Sequence, residues 1–156
     1  MDIQLYGFWR SIASFRVRVA LKLKGLPFKE IPIDIMSGEQ FTPDYDAVNA
    51  ERVVPTLVHD GYRVFQSLAI IEYLDEVSPE PGLLPTDPAD RAYARSLALV
   101  TVADVHPLVT PRVRNHLAKA FGQMVTQSQD GPSIGRARGW RPMSGSSPGD
   151  RRLRSS

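Results

Sequence analysis

The sequence predicts a layered α/β domain followed by helices, on three observations. Strand, helix, strand, hairpin and helix patterns follow one another over the first half of the chain, which is the order expected of a sheet covered by helices. Prolines then separate this half from a second helical pattern. Beyond residue 122, Gly, Ser, Pro and Arg replace the apolar periodicity. We therefore predict regions at 1–82, 83–122 and 123–156, with the last region disordered.

The first strand is predicted at Ile3–Tyr6 and the first helix at Phe15–Lys24. Apolar and basic residues nearly alternate within the helix, and this alternation alone would indicate a strand. Ser14 as a cap, Gly25 as a stop signal and the crossover that parallel strands require favour the helix.

A second strand is predicted at Phe28–Ile33. Pro32 predicts that this strand lies at an edge of the sheet, because proline cannot donate a ladder hydrogen bond. Residues 37–50 follow as a loop with a short helical turn. Residues 57–65 are predicted to form a hairpin, since apolar runs flank Asp60-Gly61.

The hairpin leads into an amphipathic helix at Leu68–Leu74, for which Ser67 is the natural N-cap. A linker is then marked by Pro79, Pro81, Pro85 and Pro88. Arg91–Val105 resumes a helical pattern. Its apolar side is formed by Tyr93, Leu97, Val100 and Val105.

The composition excludes several classes of function. The 156 residues contain no cysteine, which removes disulfides, CxxC redox chemistry, cysteine nucleophiles and thiolate metal sites. The three histidines, His59, His106 and His116, do not have a metal-binding spacing, and no GxGxxG or phosphate loop is present. No apolar run is long enough for a membrane span and no basic segment indicates a secretory signal, so we expect a cytoplasmic protein.

Charge is divided unevenly along the chain. Residues 1–122 hold 13 Lys and Arg against 15 Asp and Glu, a balance of −2, whereas residues 123–156 hold 6 Arg against 2 Asp, a balance of +4. A basic tail can bind nucleic acid, but such binding needs a folded face or aromatic platforms. Trp140 is the only aromatic residue after Phe121. We therefore expect no nucleic-acid partner.

A clamp for a small peptide is predicted where Val54-Pro55-Thr56-Leu57 is followed by Gln66-Ser67. Pro55 at the mouth of a strand leaves the preceding N–H and carbonyl free to pair with an extended ligand. A cis peptide costs little before proline, and a cis bond would turn Val54 outward. Free N–H groups and the positive end of the helix dipole at Gln66-Ser67 favour a ligand carboxylate.

These residues resemble the glutathione transferase superfamily and, within it, the zeta class, over about residues 1–121. The resemblance implies a thioredoxin-like N-terminal domain that holds glutathione, the start of an all-helical C-terminal domain, and a homodimer in which the helix near Arg91 takes part. It is carried by Phe8-Trp9-Arg10-Ser11, residues 15–25, Val54-Pro55-Thr56-Leu57, residues 66–74, Leu83-Leu84-Pro85 and His106-Pro107-Leu108.

The resemblance gives Ser11 the catalytic role. At the start of the first helix, its hydroxyl would donate a hydrogen bond to the glutathione sulfur, and this bond together with the helix N-terminus favours the thiolate that attacks. Arg10 and Arg112 are expected to bind carboxylates of the second substrate. The further glutathione contacts that the resemblance implies are Gln40, Val54, Pro55, Gln66, Ser67 and His106.

Each assignment has an alternative. Ser11 would also serve as a simple helix cap. His106 before a proline would serve as an ordinary cap, and Arg10 and Arg112 would serve as solvated surface charges. Tyr6 stands where other transferase classes place a catalytic tyrosine, although the Ser11 match favours a core tyrosine at the end of a strand.

The chain departs from the family pattern in two places. Where the class has Ser-Ser-Cys, this chain has Ser11-Ile12-Ala13. We expect Ile12 to place an apolar branch at the thiol site and to weaken stabilisation of the thiolate. Pro107 and Pro111 are expected to kink or break a helix that continues in the family.

The family pattern also stops near Phe121. Because the composition changes abruptly there, we predict that the coding sequence was truncated or shifted in frame after about Gly122. In that case the helix that begins near Arg91 would expose its apolar side chains.

The resemblance implies glutathione-dependent cis–trans isomerisation of maleylacetoacetate to fumarylacetoacetate, in tyrosine and phenylalanine catabolism. A thiolate adds to the cis double bond, the resulting single bond rotates, and the thiolate leaves. The partners would be glutathione and a small unsaturated dicarboxylic acid. The alternatives are a maleylpyruvate isomerase, a general glutathione transferase, and a module that binds glutathione or a protein without turnover.

Overall fold

The computed structural model describes residues 2–121, and the predicted tail at 123–156 lies outside them. The strands are β1 (Ile3–Gly7), β2 (Lys29–Pro32), β3 (Thr56–His59) and β4 (Tyr62–Phe65). The helices are α1 (Ile12–Leu23), α2 (Pro43–Asp46), α3 (Ser67–Val77), α4 (Pro88–Leu99) and α5 (Pro111–Phe121). A 3-10 helix at Glu39–Phe41 precedes α2, and a π-helical segment at Val100–Val105 with a 3-10 helix at His106–Val109 joins α4 to α5.

Residues Met1–Asn115 form one compact unit. The predicted region boundaries at 82 and 122 stay predictions. Within residues 2–121, none of the helices has the length and apolar character needed to cross a membrane.

The four strands form one mixed sheet in the order β2-β1-β3-β4. β1 and β2 are parallel, whereas β3 is antiparallel to both β1 and β4. The position of β2 at the edge, with Pro32 in it, confirms the prediction from that proline. The layered α/β domain with a thioredoxin-like arrangement is therefore confirmed.

The core lies between the sheet and the helices α1 and α3. Alternate residues of β1 point into it, and α1 and α3 contribute residues spaced four apart, as the strand and helix periods require. All members are at most 2% exposed, and they are Ile3, Leu5, Val17, Leu21, Leu57, Ile70 and Leu74. Both helices therefore pack on the same side of the sheet, and their N-termini are fixed relative to β1 and β3.

The hairpin prediction is confirmed by the backbone. Asp60 and Gly61 both have positive φ angles, 48° and 90°, as a two-residue turn between twisted strands requires. Thr56 pairs with Phe65 and His59 with Tyr62 in the resulting ladder.

The predicted cap of α1 at Ser14 is wrong. The Ser11 hydroxyl accepts a hydrogen bond from the Ser14 N–H at 3.2 Å, so the helix begins at Ile12. Ser14 is fully buried in the first turn, where its hydroxyl accepts from the Phe8 N–H at 3.3 Å. At the other end the stop signal is confirmed, since Gly25 has a φ of +65°.

The predicted cap of α3 at Ser67 is also wrong. Gln66 precedes the helix with a φ of 70°, and Ser67 is the first helical residue. The Ser67 hydroxyl accepts a hydrogen bond from the Arg16 Nε at 3.1 Å instead of capping the helix N-terminus. A contact between α1 and α3, distant in sequence, thus determines the role of this serine.

The helix predicted from Arg91 begins earlier, at Pro88, because Asp87 caps it by accepting from the N–H groups of Ala89 and Asp90. The predicted break near Pro107 is confirmed, since α4 ends at Leu99 and α5 begins only at Pro111. The apolar side chains of α4 are exposed, as expected. They include Tyr93, Leu97 and Leu99.

A buried ion pair attaches the linker to the first domain. The Lys24 side chain has no exposed surface, and its Nζ lies 2.8 Å from Asp75 Oδ1. The same Nζ donates to the carbonyl oxygens of Ser78 and Pro81. Asp75 also accepts from the backbone N–H groups of residues 83 and 84. Burial would raise the pKa of Asp75, but Lys24 and these N–H groups outweigh it and lower the pKa.

We predict that Asp75→Asn lowers the free energy of unfolding by about 3–5 kcal/mol, because Lys24 then stays buried without its anionic partner. Urea denaturation followed by circular dichroism measures this change. Asp46→Asn is the matched control, since it breaks an exposed ion pair with Arg52 and should change the midpoint little. Equal midpoint shifts in the two variants would contradict the prediction.

Candidate active site

A cavity of about 690 Å³ lies within the unit Met1–Asn115, a size usual for small-molecule sites. It opens where the start of α1, the entry to β3, the start of α3 and the segment between α4 and α5 come together. Eight of the nine predicted site residues line it. They are Ser11, Gln40, Val54, Pro55, Gln66, Ser67, His106 and Arg112.

Ser11 both caps α1 and lines the cavity. Its hydroxyl oxygen accepts from the Ser14 N–H and thereby caps α1. A hydroxyl has one donor in addition to its acceptor sites. The Ser11 proton is therefore available to a ligand in the cavity while the cap is kept, and the N-terminus of α1 adds a positive potential there.

The clamp at Val54 is held from beneath by buried polar side chains. Tyr45 donates its hydroxyl to the Val53 carbonyl at 2.6 Å, and Asn49 Nδ2 donates to the same carbonyl at 3.0 Å. The Thr56 hydroxyl joins both, at 3.0 Å from Tyr45 and 2.9 Å from Asn49. The Val54-Pro55 bond is cis. In the described part of the chain, the backbone N–H and carbonyl of Val54 form no hydrogen bond.

The start of α3 supplies the second half of the clamp. Gln66 has a positive φ, which is uncommon for a residue with a side chain and costs free energy that the surrounding fold must supply. This conformation begins α3 at the cavity, so the first N–H groups of the helix are oriented to bind an anion. Ser67 is buried, and Arg16 holds its hydroxyl.

Gln40 lines the cavity and carries a buried acceptor atom. Its Nε2 donates to the Ile35 carbonyl at 3.4 Å, whereas its Oε1 is buried and has no partner among the described residues. A buried acceptor without a donor is costly. The surrounding fold therefore has to supply the free energy for this unpaired oxygen.

The charged side chains that line the cavity are all basic. They are Arg16, Arg52 and Arg112, and the described chain contributes neither Asp nor Glu to the lining. Arg52 is paired with Asp46 at 2.6 Å. No carboxylate in residues 2–121 lies within ion-pair distance of Arg16 or Arg112. The field therefore favours a ligand that carries carboxylates.

His106 also lines the cavity, where its surroundings favour the neutral imidazole. Burial lowers its pKa from the ordinary value, and the charge of Arg16 lowers the pKa further. A neutral imidazole has one donor and one acceptor nitrogen, so it is able to accept a hydrogen bond from a ligand.

Three residues discussed from the sequence lie elsewhere. Arg10 stacks over the Trp9 ring, 5.5 Å from its centroid, and is not part of the cavity lining. Tyr6 packs against Tyr45 and is also outside the lining. Ile12 is 57% exposed and outside the lining, so the expected apolar branch at the thiol site is not observed.

Four residues of this site were not predicted from the sequence. Tyr45 and Asn49 had a detectable signal, because Thr42-Pro43 marks a helix start and the two polar residues follow four apart. Arg16 and Arg52 had no such signal, since their place in the cavity depends on segments that are distant in sequence.

We predict that Asn49→Ala lowers the free energy of unfolding by about 1–3 kcal/mol, because Thr56 loses a buried donor and the Val53 carbonyl loses one of two. Thermal and urea denaturation measure the change. Gln4→Ala is the control, since the Gln4 side chain bonds only the exposed Asp2 carboxylate. An Asn49→Ala variant as stable as the control would show that Tyr45 alone holds the loop.

The depressed pKa of His106 predicts a pH dependence of stability. Below an ordinary histidine pKa of about 6.5, His106 binds a proton in the unfolded chain but not in the folded chain. The free energy of unfolding therefore falls as the pH falls. Above about pH 6.5 neither state binds that proton and the contribution is complete. We expect His106→Gln to have a shallower rise in unfolding free energy between pH 5 and 7 than the parent, measured by urea denaturation at each pH. Parallel curves would contradict this.

Comparison with known proteins identifies the family and several relatives of this chain. Residues 1–76 match the family model described as glutathione S-transferase, N-terminal domain. Maleylacetoacetate isomerase of Rhizobium meliloti is 45% identical over 104 residues, which cover 67% of this chain and 49% of the relative. The chain thus spans about half the length of the curated relatives it matches.

Two solved structures are similar in both sequence and fold. One is holo maleyl pyruvate isomerase, a bacterial zeta-class glutathione transferase, at 39% identity and a TM-score of 0.75. The other is maleylacetoacetate isomerase from Methylobacterium extorquens AM1 with bound malonate and GSH, at 48% identity and a TM-score of 0.75. Each comparison covers 78% of this chain and 57% of the other. Through residues 1–76 the chain belongs to the glutathione S-transferase family, and the relatives named here are maleylacetoacetate and maleylpyruvate isomerases.

Proposed function

We propose that this chain binds glutathione and uses it to isomerise maleylacetoacetate to fumarylacetoacetate. The observation that carries the proposal is a single cationic cavity lined by eight residues that the family resemblance had already assigned. Bound glutathione would supply a thiolate that adds to the double bond and leaves after rotation.

The residues present fit glutathione. The first N–H groups of α3, with Arg16 and Ser67, would hold the carboxylate of the γ-glutamyl end. The free N–H and carbonyl of Val54 would pair with the cysteinyl backbone. Gln40, which also lines the cavity, would contact the peptide backbone. The Ser11 hydroxyl would then donate to sulfur.

Ser11 lowers the cost of a negative charge on sulfur without itself attacking. A free thiol is mostly protonated at neutral pH, and a hydroxyl donor next to a helix N-terminus favours the ionised form. The cap bond from Ser14 uses one acceptor site of the hydroxyl oxygen, so the Ser11 proton stays available to the sulfur.

The second substrate is proposed to be held by arginine. Arg112 lines the cavity, and its Nη2 lies 3.4 Å from the Glu51 carbonyl, which leaves guanidinium donors for a carboxylate. Arg10 would have to leave the Trp9 ring to reach the ligand. We therefore assign the carboxylate of the second substrate to Arg112 first and to Arg10 second.

The resemblance supports the wider assignments of this proposal. These are a role in tyrosine and phenylalanine catabolism, a cytoplasmic location, and a homodimer that involves α4. The exposed apolar residues of α4 are compatible with such an interface.

A maleylpyruvate isomerase is the second candidate, because the holo maleyl pyruvate isomerase structure has the same TM-score as the maleylacetoacetate isomerase structure. Turnover of the two substrates, compared under the same conditions with glutathione, separates the candidates. A higher kcat/KM for maleylpyruvate would replace the first assignment by the second. Glutathione binding with no turnover of either would indicate a binding module.

We predict that millimolar glutathione raises the midpoint of thermal unfolding, since a ligand bound only by the native state stabilises it. A midpoint that glutathione does not change would refute the proposal.

We also predict that Ser11→Ala lowers kcat/KM for isomerisation by about a hundredfold, a loss typical of one removed charge-stabilising donor. It should leave the affinity for S-methylglutathione nearly unchanged, because that analogue has no thiol to ionise. Ser11→Thr keeps the hydroxyl and should restore most of the activity.

A further inference from the structure

The π-helical segment at Val100–Val105 lies directly before His106. The His106 N–H donates to the Thr101 carbonyl, five residues back, instead of to the residue four back as in an α-helix. This π-helical turn, called the wide turn below, therefore ends at His106, which lines the cavity. π segments are rare and are frequent at functional sites.

The sequence gives a physical cause for the wide turn. Proline in a helix interior lacks an N–H, and its ring meets the carbonyl of the residue four back. For Pro107 that residue is Ala103, in the middle of the π segment. Adding one residue to the turn changes the position of this carbonyl relative to the ring. The chain then continues as the 3-10 helix at His106–Val109.

The wide turn changes the direction of His106. Arg95 fixes the register of α4, because its Nε and Nη2 bind Glu72 of α3 at 2.8 and 3.1 Å. An unbroken α-helix turns about 100° per residue, so His106 would return to within about 20° of the direction of Arg95. One extra residue in a turn rotates everything beyond it by about 100° relative to that course.

We propose that the π-helical segment is a positioning device, in which the extra residue rotates His106 from the side of α4 that holds Arg95 into the cavity beside Arg16. The use of His106 toward glutathione rests on the proposed function. Its position beside Arg16 does not, because that position is a property of the chain without ligand.

Deleting Ala103 tests the proposal, since this residue is exposed and outside the cavity lining. The deletion removes one residue between Arg95 and His106. Ala103→Ser keeps the count and is the matched control. A rescue variant combines the deletion with one alanine inserted between Ala98 and Leu99, which restores the count without restoring Ala103.

Two readouts are needed. The first is the midpoint of the His106 imidazole titration by NMR, which requires no ligand. This midpoint responds to burial of the imidazole and to the charge of Arg16. Arg52 and Arg112 are the other charged groups that line the cavity. The second is the Kd for glutathione by calorimetry. The deletion should move the midpoint toward about 6.5 and weaken binding about tenfold, the loss of one hydrogen bond. The rescue variant and the control should behave as the parent.

A double-mutant cycle identifies the residue through which the deletion acts. His106→Ala should cost about the same affinity as the deletion, and the two together should cost no more than either one. Additive losses, or an unchanged midpoint and Kd in the deletion variant, would overturn the proposal. If the parent does not bind glutathione, the proposed function fails, and the titration midpoint alone decides this inference. If the deletion variant does not fold, an alanine inserted after Ala103 makes the same test with the opposite rotation.

Discussion

The Val53 carbonyl, held by Tyr45 and Asn49, is the constraint on which the rest of the site depends. Both side chains are buried and both also bond Thr56, which restricts how the chain enters β3. Next to Val53, Val54 lines the cavity, and its backbone N–H and carbonyl have no partner among the described residues. Buried polar networks of this kind are favourable only when fully satisfied. The network therefore defines the shape of the clamp as well as its stability.

Local signals in the sequence were sufficient for elements that depend on local chemistry. The hairpin followed from Asp60-Gly61, and the edge strand from Pro32, because turn geometry and a missing N–H act within a few residues. The caps at Ser14 and Ser67 were predicted wrongly for one shared reason. Each hydroxyl is used by a partner, Phe8 or Arg16, and in the second case the partner comes from another helix. A serine near a helix start indicates a cap only while no such partner competes for it.

The same distinction applies to the site. The clamp residues were predictable because a strand entry and a helix start each have local signatures. The cationic lining was not, since Arg16 reaches Ser67 only after α1 and α3 have packed together. The expectation for Ile12 rested on its being next to Ser11 in sequence. Consecutive helical residues point in directions about 100° apart, so adjacency does not guarantee a place in the cavity, and Ile12 is exposed outside the lining.

The outer face of α1 is apolar and exposed. Ile12, Phe15 and Leu23 are exposed on the side opposite the core residues Val17 and Leu21, so α1 is apolar on two faces. A helix with this pattern is normally covered on both sides. The residues proposed to hold a peptide ligand belong to one compact unit and do not depend on that cover. Under the proposed function, glutathione affinity and isomerase turnover would therefore be separable.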